Sequence, residues 1–320
     1  MRRPVARDKP SLLMPTTQEK VLPYALTTVA RVRDRLQITN NDSDAVLTRI
    51  INSVTDNIER MCGLPGIEAY PNDVHFVQKL YVNEIYTISG KRQEKVLLRG
   101  SPVLNATVTA TTTANSATIN SPALLNLLPQ SLMTQVANLI APANYVYGLL
   151  IQGAGIPILT YIVSGDGAGN FTLSNAVTGS GTNVVIEVSG LLSYQWRSGT
   201  PSNPTWTPFI QDQSEIIEQG RAGIIRTYGQ LPFIYSNMLR ATYIAGFPVD
   251  WQNAGNGATH RLPADLTNTC ENIVVRTFKR LKLAGQASES IQGATLAWRN
   301  DYDAEDKQVI TNHTRVGQVF

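Results

Sequence analysis

The chain has 320 residues, 42% of them hydrophobic and only 16% charged, with a net charge of +3. That length supports one large domain or two medium ones with a real core. The charge is too small to mark a nucleic-acid binder by itself, and no apolar run reaches the roughly 18–20 residues that span a bilayer.

The charge is unevenly spread. Residues 1–35 carry eight Lys and Arg against Asp8, Glu19 and Asp34, whereas residues 101–193 carry only Asp166 and Glu187. So little charge suits a surface covered by neighbours, or a β module made polar by Ser, Thr and Asn.

The basic N-terminus is followed by no apolar stretch, so no secretion signal is expected. Pro4, Pro10, Pro15 and Pro23 exclude a helix and predict a flexible arm over residues 1–25. Thr27 or Thr28 offers an N-cap to a short helix reaching about Gln37, with Val29, Val32 and Leu36 at helical spacing. Asn40 to Ser43 is a turn in which Asp42 or Ser43 can cap a second helix. Its apolar stripe is Leu47, Ile50, Ile51, Val54, Ile58 and Met61. Thr48, Arg49, Asn52, Asp56, Asn57, Glu59 and Arg60 fall on the outer face. Gly63 supplies a left-handed stop and Pro65 forbids continuation.

The period then changes to two. Val74–Val77, Lys79–Val82 and Val96–Arg99, around the turn Ser89-Gly90-Lys91, predict a hairpin. Val103 to Thr113, rich in Thr and Val, follows Pro102. Leu124, Leu125, Leu127 and Leu128 precede Pro129, and Ser131 can cap a helix carrying Leu132, Val136, Leu139 and Ile140. A β tract is predicted over Tyr145–Ile151, Leu159–Val163, Phe171–Leu173 and Val184–Val188, joined by Gly-rich turns.

Ser198 to Pro208 reads as a Pro/Ser/Thr loop near Trp196 and Trp206, and Gly223–Arg226 and Leu239–Gly246 as strands. Asn253 to Gly257 reads as a flexible loop. Pro263 opens a third helix with the stripe Leu266, Cys270, Ile273, Val274, Phe278 and Leu281. Arg276, Lys279, Arg280 and Lys282 crowd its last turns, where the helix dipole favours cations. Gly285 ends it, Gln286 to Thr295 is polar and loop-like, and a last helix spans Ala304 to Val316.

Several of these pieces resemble the head-to-tail adaptor (head–tail connector) proteins of tailed bacteriophages. They are Leu26-Thr27-Thr28-Val29 with Val32 and Leu36, the acidic turn Asp42 to Asp44, and the helix end Ile58-Glu59-Arg60-Met61-Cys62-Gly63. Leu97 to Val103, Ala241 to Phe247, Leu262 to Leu266, Lys279-Arg280, Gly285-Gln286 and Ser288 to Gly293 follow in the family's order. The stretch from Gly153 to Pro157, with Phe171–Ser174 and Val188–Gly190, resembles a small β module of virion structural proteins.

The resemblance implies an α+β fold: a small helical bundle with a β-hairpin or short antiparallel sheet, interrupted by an inserted mainly-β domain. The adaptor core is expected over 26–105 and 221–297, the insertion over 106–220, and a portal-docking arm over 298–320. It further implies a ring, typically of twelve copies, beneath the portal protein in the virion neck, binding a stopper or tail component below. The subunit would be assembled in the host cytoplasm and would touch passing DNA transiently, without a membrane. Trp298, Arg299, Asp301, Tyr302, Val309, Ile310, Val316 and Phe320 are the expected portal contacts, and Arg276, Lys279, Arg280 and Lys282 the expected channel-lining residues.

No catalytic, cofactor-binding or metal-binding set is expected. Cys62 and Cys270 lack CxxC spacing and read as small buried hydrophobes in a reducing compartment. His75, His260 and His313 stand in unrelated contexts and read as solvent-facing or interfacial. Neither GxSxG nor a Walker A motif is present. Gly165 to Asn170 lacks the ligands and following helix of a calcium or phosphate loop and reads as a β-turn.

Asp301, Asp303, Glu305 and Asp306 read as helix N-terminal stabilisers or as docking carboxylates. The alternatives are another virion part, such as a tail-completion, decoration or fibre-anchoring protein, or a carbohydrate-active enzyme. Glycoside hydrolysis needs a facing carboxylate pair, for which the insertion offers only Asp166 and Glu187.

The second helix generates a direct test. Ile58→Asp should unfold the helical module, because a buried unpaired charge costs several kcal/mol; an unchanged melting temperature would show that its apolar face is misassigned.

Overall fold

The computed structural model describes residues 20–64, 75–87, 95–128, 130–139, 148–200, 203–208, 214–219, 222–227, 238–249, 262–282, 288–291, 294–297 and 302–314. In chain order these form α1 (Val29–Leu36), α2 (Asp44–Met61), β1 (Lys79–Thr87), β2 (Lys95–Leu97), β3 (Asn105–Thr112), β4 (Thr118–Asn120), α3 (Pro122–Leu125) and α4 (Gln130–Ala137). There follow β5 (Leu149–Gly153), β6 (Thr160–Gly165), β7 (Asn170–Leu173), β8 (Gly181–Ser189), β9 (Leu191–Thr200), β10 (Asn203–Pro208), β11 (Ser214–Gln219), β12 (Ala222–Thr227) and β13 (Met238–Ala245). The chain continues through α5 (Ala264–Lys282), β14 (Ser288–Ile291), β15 (Ala294–Ala297) and α6 (Ala304–His313). The fold is mixed α and β.

Thr28 caps α1 by accepting from the Arg31 N–H, and Gln37 ends it in the left-handed region at φ 55°. α2 buries Leu47, Ile50, Ile51, Val54 and Ile58, as its spacing predicts. Cys62, not Met61, completes the stripe: it lies four residues beyond Ile58 and is buried, while Met61 turns outward. Gly63 follows at φ 75°. Thr48 and Glu59, placed by sequence on the outer face, are also buried. α2 is covered on more than one side, by α1 and α5 and by the chain at Phe76, whose N–H donates to Glu59.

β1 and β2 do not form the expected hairpin. β1 pairs with β13 in a four-stranded antiparallel sheet ordered β1-β13-β9-β10, whereas β2 joins a three-stranded sheet ordered β11-β12-β2. The presumed turn Ser89-Gly90-Lys91 lies outside the described residues. The expected loop at Ser198 to Pro208 is instead the end of β9 and all of β10. Pro204 and Pro208 are tolerated there because β10 is an edge strand, with one side free of ladder bonds. The polar stretch 286–295 likewise contains strand β14 and the start of its partner β15. α4 begins at Gln130, so Ser131 lies within its first turn rather than capping it. α6 ends at His313, short of Val316.

Six strands close a barrel in the order β3-β4-β7-β6-β5-β8. Ile119, Leu149, Ile151, Ile162, Phe171, Ile186 and Val188 fill it, and Leu124, Leu128, Leu132 and Met133 of the α3–α4 region pack on the same cluster. A second core gathers α1, α2, α5 and α6 around Leu26, Leu47, Ile51, Ile58, Leu266, Val274 and Ile310.

The four-stranded sheet stands between these cores and serves both. Tyr81, Leu191, Tyr194, Leu239, Ala241, Tyr243 and Ala245 belong to the helical core. Leu80, Leu192 and Ile244 belong to the barrel core. Alternation along a strand sends neighbours to opposite faces. A register shift opposite Leu192, between Thr242 and Tyr243, brings Leu191 and Tyr194 onto one face.

β9 and β10, from the segment assigned by sequence to the insertion, therefore pair within the sheet that also carries β1 and β13. The barrel is entered and left side by side, since Asn105 pairs with Ser189. Leu104 and Gly190, just outside that pair, both bond to Ile244: its carbonyl accepts from the Leu104 N–H at 3.0 Å, and its N–H donates to the Gly190 carbonyl at 2.8 Å. A Cβ on Gly190 would lie 2.6 Å from the Leu104 Cβ and 3.0 Å from the Ile244 carbonyl oxygen.

Gly190→Ala should therefore force the barrel and sheet apart and cost about 1–3 kcal/mol. Urea unfolding at unchanged m value checks this; an unaltered midpoint would refute the close approach.

Candidate interaction site

α2 and α5 pack side by side, and between the middle of α2 and the C-terminal half of α5 they leave an open cavity of about 350 Å³. Its floor is apolar: Ile50, Val54 and Ile273 are buried. Arg49, Arg276 and Arg280 line it, with Ser53, Asn57, Thr277 and Tyr302, and no carboxylate is among the lining residues. The arginines converge because Arg276 and Arg280 are four residues apart on α5, hence on one helix face. Sequence reasoning found these two; it placed Arg49 only on an outer face, with no indication that α5 lies beside it.

α6 is fastened to α5 at both ends. Arg276 forks to Asp303 and Asp306, and Asp306 also accepts from the Asp303 N–H at 3.0 Å. At the other end His313 Nε2 lies 2.9 Å from Asp265 Oδ2. Between them Ile310 is buried, and the Cys62 thiol donates to its carbonyl.

α1 is fastened to α5 through Glu271, whose side chain is 2% exposed and meets Arg31 Nε at 2.6 Å, Arg35 Nε at 2.7 Å and the Thr27 hydroxyl at 2.9 Å. Arg35 also donates to Asn268 and Asn272.

A third fastening lies wholly inside. Glu59 accepts from the Phe76 N–H and pairs with His75 Nδ1 at 2.8 Å, and Tyr24 stacks on the imidazole at 3.8 Å. Burial pushes the Glu59 carboxyl up, opposed by His75 and the Phe76 N–H. In the shared sheet, Tyr86 and Tyr243 both donate to Glu84, and the Gly100 N–H donates to Tyr243. Burial, reinforced by Glu84, raises both phenols. Burial also pushes the Cys62 and Cys270 thiols up to about 12, which leaves them unreactive.

These positions differ from several sequence expectations. His75 and His313 are buried partners of carboxylates, not solvent-facing, because each closes a packed joint between elements. His260 lies outside the described residues. Of the expected portal contacts, Ile310 faces the subunit's own core, Tyr302 is half-buried against that core and Val309 is half-buried. Trp298, Arg299, Asp301, Val316 and Phe320 lie outside the described residues.

Of the expected channel residues, Arg276 is engaged by Asp303 and Asp306, Arg280 lines the cavity and Lys279 is exposed. Lys282 ends α5, its side chain outside the described residues. Leu281, assigned to the buried stripe, is 53% exposed, because the stripe ends at Phe278. Asp166 accepts from the Ala168 and Asn170 N–H groups and the Asn170 side chain, the bonding of a tight turn. Among the described residues no group of three or more His, Cys, Asp or Glu could hold a metal, and no described helix is long and apolar enough to cross a membrane.

Residues 26–101 match the family model of the phage gp6-like head-tail connector protein. The matched stretch comprises α1, α2, β1 and β2. No curated protein matches the chain. The family match supports a role as a structural connector in a phage.

The buried Glu59 gives the helical core a pH signature. A carboxyl held above its ordinary value of 4.5 contributes stability that is full below that value and lost as pH rises through the folded pKa. Glu59→Gln can still accept from the Phe76 N–H but does not titrate. It should gain stability relative to the parent as pH is raised from about 4 to 7. Denaturant midpoints across that range check this, and parallel profiles would contradict it.

Proposed function

We propose that this chain is a head-to-tail connector that works through its interfaces and catalyses no reaction. Copies of it, twelve in the arrangement implied by the resemblance, would form a ring beneath the portal. The ring would join the portal to a stopper or tail component and leave a channel through which DNA passes with weak, non-specific contacts. It would be built in the host cytoplasm and reside in the virion neck. The family match over residues 26–101 carries this reading.

The fold supports it, because the matched elements are held by α5 and α6 into one core. The ionisable groups at Glu59, Asp265, Glu271, Asp303 and Asp306 are used to fasten elements together, and the reading calls for no cofactor.

In this reading the connector body is the helical core with the shared sheet, and the barrel between Asn105 and Ser189 is the added unit. The body thus takes in β9 and β10 as well as the expected segments 26–105 and 221–297. The portal would meet the outer side of α6, where Glu305, Lys307, Gln308, Thr311 and Asn312 are exposed, together with the chain beyond it. A second reading, a decoration or fibre-anchoring protein, is favoured by one observation: Ile158, in the β5–β6 turn of the barrel, is 88% exposed.

Gold-labelled antibody against the barrel separates the two. Label confined to the head–tail junction is expected, and label spread over the capsid or tail would overturn the connector reading. Deleting residues 298–320 should abolish capture by purified portal and also lower the melting temperature, because Ile310 and His313 leave with the segment. Undiminished capture would remove the docking role.

A further inference from the structure

The cavity between α2 and α5 is shaped and charged for a protein surface. Arginines line it over an apolar floor; Arg276 is taken up by Asp303 and Asp306, which leaves Arg280 to meet a carboxylate from outside. Exposed apolar side chains flank it. Val46, 37% exposed, precedes Arg49 by three residues on α2, and Leu281 follows Thr277 by four on α5, so each shares a helix face with a lining residue. A phosphate backbone offers nothing to apolar shoulders, whereas a protein patch that sets an apolar side chain beside a carboxylate satisfies both features.

The chain carries such a patch on its barrel. Val185 and Glu187 lie two residues apart on β8, on the outward face opposite the buried Ile186 and Val188. Val185 is 58% exposed and Glu187 is exposed. Thr109, Thr107 and Gln152 stand opposite them on the neighbouring strands. The other barrel carboxylate, Asp166, is occupied by its own turn.

We infer that the occupant of the α2–α5 cavity is a second copy of this chain, with Glu187 set against Arg280 and Val185 against the apolar shoulders. Cavity and strand are different patches of one surface, so the contact is head-to-tail, the kind that closes into a ring. This contact rests on the ring proposed above and names the surfaces that build it.

The test uses the full chain and three variants: Arg280→Glu, Glu187→Arg and the two combined. Sedimentation velocity reads their assembly, and circular dichroism confirms their folding. Each single variant should weaken self-association by about tenfold or more, the scale of measured couplings between close interfacial charges. The combined variant should restore it. Single variants that assemble like the parent, or a combined variant that fails to recover, would overturn this contact and leave the ring intact. A parent that stays monomeric, both alone and with purified portal, would overturn the ring and the contact together.

Discussion

One antiparallel sheet has to satisfy two interiors at once. In β1, β9 and β13 each strand supplies tyrosines, alanines or leucines to the helices on one side and a leucine or isoleucine to the barrel on the other. A one-residue slip would exchange these sets, placing Leu80 and Ile244 where the stacked Tyr81 and Tyr243 rings belong. Register is therefore specified from both faces. The bonds among Glu84, Tyr86, Tyr243 and Gly100 hold it from within.

The helical core is assembled from segments far apart in the chain, and its polar joints follow a common plan. Each places a carboxylate that is buried, or faces a buried partner, where two elements meet. Glu271 joins α1 to α5, Asp306 and Asp265 join α6 to α5, and Glu59 joins α2 to the chain entering β1. Removing one partner of such a pair leaves a charge without compensation, which costs more than the pair itself contributes. These joints specify how the elements dock, while Ile51, Ile58, Leu266 and Val274 supply the apolar burial, at about 1.5–3 kcal/mol each.

Much of the local structure was legible in the sequence. The stripe and stop of α2, the cap of α1, the span of α5 and the barrel strands β6, β7 and β8 follow from periodicity and turn residues. Pairing was not legible. Nothing local distinguishes a β1–β2 hairpin from β1 beside β13, because the choice depends on contacts between distant residues. The β10 prolines read as loop because their edge position is a property of the sheet, not of the strand.

The interaction site was visible only in part. The basic turn of α5 stands out, but its neighbour Arg49 and the diversion of Arg276 to Asp303 and Asp306 depend on packing between distant segments. Glu59 and His75 were missed for the same reason. Glu59 lies one residue past Ile58, at the margin of the stripe, and a wider buried face would have included it.

Building one core from segments far apart in the chain also sets a timetable for synthesis. The barrel closes on strands that all precede Gly190, so it can form while translation continues. The apolar face of α2 is only partly covered, by α1 and the chain at Phe76, until α5 emerges, and His313 reaches Asp265 only when the last turn of α6 has been made. A nascent chain therefore presents closed barrel strands whose core still awaits Leu192 and Ile244 of the sheet, and an unfinished body. The helix pair that forms the arginine-lined cavity comes together only after α5 has been made, so under the proposed contact a chain lacking α5 would be unable to join a neighbour.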